Sequence, residues 1–101
     1  MLFLVLTEAR DSIVGQAAVT QLRADVGAAV KRVSASGKMK AGGILGGKRS
    51  AFMLLEVEKA TDILELLGGE IIDNMSVEVY PIISFEELGQ FFAKDAARLQ
   101  K

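Results

Sequence analysis

The sequence predicts a single α+β domain. Three observations predict it: the order of the apolar runs, a hydrophobic content of 50% against 25% charged residues, and a length of 101 residues, near the usual size of one domain. A chain this short buries only a modest fraction of its surface. Its apolar share exceeds what one small core hides. Either the strands are covered on both faces, or apolar surface meets another subunit.

The first element is Leu2-Phe3-Leu4-Val5-Leu6-Thr7, a continuous apolar run closed by Glu8, Arg10 and Asp11. That is the pattern of a strand buried on both faces. Asp11 and Ser12 lie in the connection, and a helix is expected from near Gly15 to about Ser36. Val19, Leu22, Val26, Ala29, Val30 and Val33 recur there at helical spacing and form one stripe, with Arg23, Asp25, Lys31 and Arg32 on or beside the wetter side. Gly37 ends the helix, because a left-handed residue costs least without a Cβ. A hairpin follows, with arms Met39 to Leu45 and Ser50 to Val57 around Gly46-Gly47.

Glu58 to Leu67 reads as the second helix, stopped by Gly68-Gly69. Met75 to Ile83 is the last strand. Pro81 cannot donate to a ladder, which sets this strand at an edge or bends it there. Ser84, with Glu87 three residues on, forms a capping box for a final helix from Phe85 to about Leu99. Leu88, Phe91 and Phe92 give that helix an apolar patch. The order is therefore βαββαβ plus an extra C-terminal helix. It is the split βαβ pattern of a ferredoxin-like domain spanning residues 1–101. Both crossover helices cover one sheet face, and a second sheet must cover the other, giving a dimeric α/β barrel.

Composition narrows the functions. A net charge of −1 offers no basic patch for a nucleic acid. The apolar start is too short for a membrane span and lacks the flanks of a signal peptide. The chain has no cysteine, hence no disulfide and no thiolate metal site, which fits a cytoplasmic protein. It also has no histidine, the commonest general base and metal ligand. Serine triads and zinc hydrolases are thereby excluded. Gly42, Gly47 and Lys48 fall at phosphate-loop spacing, but Arg49 stands where a Ser or Thr must hold magnesium, and a strand follows instead of a helix.

Several segments carry a resemblance. They are Met1-Leu2-Phe3 with Val5, Thr20-Gln21-Leu22-Arg23-Ala24-Asp25, the glycine and acid spacing from Gly37 through Gly47 to Glu56-Val57, and Val77-Glu78-Val79. Together they resemble the muconolactone isomerase family over most of Met1 to Val79. The resemblance implies a homodimer or higher oligomer of dimeric barrels, a small lactone or aromatic acid as partner, and isomerisation by acid–base proton transfer without a cofactor. The segment holding Arg23 and Asp25 flanks the pocket in that family. The chain departs from the family at Val26, where an acid is expected, in the aromatic-poor Ala41-Gly42-Gly43-Ile44 arm, and in the added helix.

Glu56 and Glu78 lie in apolar strands, in phase with Phe52, Leu54 and Tyr80. If Met53, Leu55, Val77 and Val79 face the helices, both acids point into the barrel, joined by Phe3, Val5 and Thr7. Such a cavity is the usual form of a small-ligand site. A carboxylate there is expected to have a raised pKa and to carry a proton near neutrality. On this reading Glu78, Glu56 and Tyr80 are catalytic, while Arg23, Phe3, Phe52 and Thr7 bind substrate. The alternative is that the acids reach solvent at strand ends or pair with Lys40 or Lys48. Two further functional readings stand beside the isomerase: a non-catalytic ligand-binding or assembly module, and a cofactor-free monooxygenase of the dimeric barrel type.

Overall fold

The computed structural model describes residues 1–99. Its elements are β1 (Leu2–Ala9), α1 (Gln16–Ala35), β2 (Met39–Leu45), β3 (Ser50–Glu56), α2 (Ala60–Leu67), α3 (Gly69–Asn74), β4 (Met75–Pro81) and α4 (Phe85–Leu99). The four strands form one antiparallel sheet in the order β2-β3-β1-β4. This α+β arrangement is compatible with the expected ferredoxin-like topology. β4 lies at an edge, where Pro81 costs the ladder little.

Local chemistry sets the boundaries. Gly37 has φ 73° and Gly68 has φ 85°, so each ends a helix in a conformation that suits glycine. Arg32 reaches from α1 to the end of α2. Its Nη2 donates to the Leu67 carbonyl (2.7 Å) and its Nε to that of Leu66 (2.9 Å), satisfying carbonyls the helix leaves open. Asp62 accepts a hydrogen bond from the Lys59 backbone N–H at 3.2 Å, so α2 begins at Ala60 rather than Glu58. At α4 the Glu87 N–H donates to Ser84 Oγ at 3.1 Å, the expected cap. α3 was not expected: after Gly68 the chain resumes a six-residue helix that buries Ile71.

The core lies between the sheet and α1, α2 and α3. Val5, Val33, Leu55 and Ile63 are fully enclosed there. Cross-strand register fixes which side chains share a face. Val5 pairs with Met53 and Val79, and Phe3 with Leu55, all on the helix side. Leu4 pairs with Leu54 and Tyr80, and Leu6 with Phe52 and Glu78, on the opposite side. Phe3, Val5 and Thr7 therefore face the helices and not the acids, contrary to expectation. A run apolar at every position carries no phase of its own.

No second layer covers the opposite face in the protomer. Leu2, Leu4, Leu6, Phe52 and Leu54 are only half-buried there. The molecule measures 63 × 28 × 22 Å with a radius of gyration of 17.4 Å. A compact chain of this length has about 13 Å. The difference is α4, which extends from the domain with no described residue buried. Among the described residues, no helix is long and apolar enough to cross a membrane.

Leu55→Ala would open a cavity in the enclosed core. Urea unfolding is expected to show about 3 kcal/mol of destabilisation. A loss below about 1 kcal/mol would mean that the helix and sheet layers collapse freely around the site, against the close packing described.

Candidate functional site

The residues singled out by sequence separate into two places. Glu78 and Tyr80 share the open face of β4, and the Tyr80 hydroxyl donates to Glu78 Oε2 at 3.1 Å. Glu56 is on the same face but at the far end. It stands opposite Leu2, whereas Glu78 stands opposite Leu6. Strand geometry puts the two acids about 17 Å apart, so they do not form a pair. The Met1 amine donates to Glu56 Oε1 at 2.9 Å. Among the described residues, neither acid pairs with Lys40 or Lys48. Both carboxylates are exposed in the protomer.

Glu78 also borders a polar recess of about 310 Å³, with Glu8, Lys48, Ser50 and Ser76 on its walls. The hydrogen bond to Glu78 holds the Tyr80 hydroxyl above its ordinary value of 10.0. Repulsion between the carboxylate and a phenolate adds to this, and desolvation contributes least.

The larger spaces are on the other side of the sheet. Two adjoining cavities of about 310 Å³ and 480 Å³ lie between α1 and the β2–β3 edge. They share Thr7, Val26, Ile44, Ala51 and Met75 and so form one cleft. It exists because the facing residues are small. Gly42 and Ala51 on the strands oppose Gly27 and Ala29 on α1. A Cβ at Gly42 would come within 3.0 Å of Met39 Sδ and 3.3 Å of the Phe52 carbonyl oxygen, so the strand admits little else there.

The floor of the cleft is apolar, with Val33 and Met53, and the exposed Val30 and Ile44 are at its rim. Its mouth carries Arg23, Lys48 and Arg49. Arg49 Nη1 donates to the Ile13 carbonyl at 3.0 Å, which holds that guanidinium in place. The Thr7 hydroxyl is buried at the sheet wall; Ser50, also buried, borders the cleft but is in phase with Phe52 and Leu54 on the open face. Among the described residues, no acid and no tyrosine lines either cavity.

Of the expected substrate-binding residues, the cleft brings together Arg23 and Thr7; Phe52 borders it from β3 while its side chain is in phase with Leu54 on the open face. Phe3 is a core residue with no place in it. Lys48, Arg49, Val26 and Ile44 were missed as site residues. The signal that could have found them is Gly42-Gly43 within a strand, since strand glycines mark places where something must approach closely. Among the described residues, no cluster of acids, histidines or cysteines could hold a metal ion.

The fold and cleft define a class: an α+β protein with an apolar slot under its first helix and cations at the entrance. Comparison with known protein families and with curated proteins finds no match.

The chain has one tyrosine and no tryptophan, so its phenol can be titrated by absorbance alone. The midpoint is expected above 10, and Glu78→Gln should bring it down towards 10. The linked stability has a definite sign. With the folded pKa raised, the contribution is complete below the unfolded value near 10 and is lost as pH rises through the folded value. A midpoint unmoved by Glu78→Gln would remove the Tyr80–Glu78 hydrogen bond from the solution structure.

Proposed function

We propose that this chain is a homodimeric binding protein for small, mostly apolar anions, of which an aromatic acid is the type. The observation that carries this is the cleft itself: an apolar floor, a mouth of three cations, and no acid among its described lining residues. Apolar burial supplies the affinity. Arg23 and Arg49 supply orientation, because a planar guanidinium matches a carboxylate at two points. The half-exposed Leu2, Leu4, Leu6 and Leu54 support the dimer, with two open faces stacked as in the dimeric barrel of the muconolactone isomerase-like family.

A second reading is isomerase-like proton transfer at Glu78 and Tyr80. Their hydrogen bond at the edge of a polar recess favours it. That chemistry needs the recess closed by a second sheet, since in the protomer both groups are exposed. The cleft is the stronger site because the protomer already builds it.

Calorimetric titration with 1-naphthoate, against neutral 1-naphthalenemethanol, tests the first reading. The acid should bind and the alcohol should bind more weakly. Arg23→Ala should weaken the acid by about tenfold, and Glu78→Gln should leave it unchanged. Equal affinity for acid and alcohol would sink the proposal. Turnover of an unsaturated lactone that is abolished by Glu78→Gln would establish the second reading in its place.

A further inference from the structure

The helix α4 has an apolar stripe with nothing beneath it. Phe85, Leu88, Phe92 and Leu99 follow one another at three-, four- and seven-residue steps and share a face. Phe85 is 92% exposed, Leu99 72%, and Phe91 and Phe92 59% each. The protomer exposes 7145 Å² in all, whereas a folded monomer of this mass exposes about 5,500 Å². A stable interface takes about 800 Å² from each partner. The excess is enough for one, and α4 has no described residue buried.

The topology indicates which partner surface α4 meets. The sheet has two free edges, β2 and β4. β2 is exposed at every position after Met39. Unpaired edges are templates for another strand. A twofold arrangement that sets β4 of each copy beside β2 of the other satisfies both edges at once and stacks the open faces. α4 follows β4 after only Ile82, Ile83 and Ser84, a reach of about 10 Å. It is therefore delivered onto β2 of the second copy.

That edge is apolar and basic in the right places. Ile44 is 81% exposed and Val30 49%, and both line the cleft. Lys40 is within β2, Lys38 precedes it and Lys48 follows it. The first turn of α4 carries Glu86 and Glu87. We propose that α4 of each copy packs across β2 of its partner and closes over the partner's cleft, with Phe91 and Phe92 against Ile44 and Val30 there. The contact between copies stands on the edges, the stripe and the surface area. Only its action as a lid rests on the cleft being a ligand site.

The test uses full-length chains, which have no native cysteine. Ile44→Cys and Phe91→Cys chains are mixed and treated with a short bismaleimide cross-linker. A cross-linked dimer of the two variants is expected. Thr20→Cys, on the exposed side of α1, should not link to Phe91→Cys. Linkage no greater than this control, or linkage within one chain in a double variant, overturns the contact. The lid is read from 1-naphthoate release in a Phe91→Ser/Phe92→Ser chain, expected to be about tenfold faster. A double variant that falls apart into monomers supports the contact, and Phe91→Ser alone then reports on release. Unchanged release with the cross-link intact overturns the lid. Absence of naphthoate binding in the parent chain, with the cross-link formed, overturns the cleft reading alone.

Discussion

Helices cover only one side of this sheet, and the rest of the molecule follows from that. β1 feeds α1, β3 feeds α2 and α3, and each crossover returns the chain to the same sheet. Right-handed crossovers of this order put every crossover helix on one face. Val5, Val33, Leu55 and Ile63 then close a dry core between two layers. The opposite face receives Leu2, Leu4, Leu6, Phe52 and Leu54 with no layer of its own. Among the described residues, that apolar face has no cover.

The cleft is the same constraint seen at the β2 edge. The helix layer is packed tightly over β1 and β3, where Leu55 and Val5 meet Val33 and Ile63. Towards β2 the facing side chains shrink to Gly42, Ala51 and Ala29, and the layers no longer fill the space between them. The space opens to solvent at the β2 edge, where Ile44 is exposed. With three cations at its border it has the general form of a small-ligand site. The buried hydroxyl of Thr7 adds a polar group of the kind such slots use to orient a ligand.

Element order was legible in the sequence because its punctuation is local. Gly37, Gly68, the Ser84–Glu87 cap and Pro81 act within a turn of their own positions, and each was readable without the fold. α3 was not, because Gly68-Gly69 signals a stop and only the burial of Ile71 restarts the helix. The phase of β1 was not legible either. Leu-Phe-Leu-Val-Leu is apolar on both sides, so only pairing with β3 and β4 decides that Leu6, not Thr7, stands beside Glu78. The acids were correctly placed on one face but wrongly furnished with neighbours. The cleft could be seen only as an absence of bulk; Arg23 comes from α1, and Lys48 and Arg49 come from the turn whose phosphate-loop spacing fails.

The two candidate sites are on opposite sides of one sheet, and this separates their chemistries. A general acid must come within hydrogen-bond reach of the atom it protonates. A ligand lying under α1 has the backbone of β1 and β3 between it and Glu78, so neither Glu78 nor Tyr80 can serve it there. The cleft holds cations and the Thr7 hydroxyl, groups that orient an anion. Binding in the cleft and proton transfer on the open face are thus not two descriptions of one site. A dimer treats them differently as well. Stacked open faces would dry the surroundings of Glu78 and Tyr80, while a partner's α4 would dry the mouth of the cleft. An arm that reaches across β2 strengthens ion pairing at Arg23 and Arg49 by removing water from it. If α4 of a second copy lies there, the contact between copies is part of how a ligand is held.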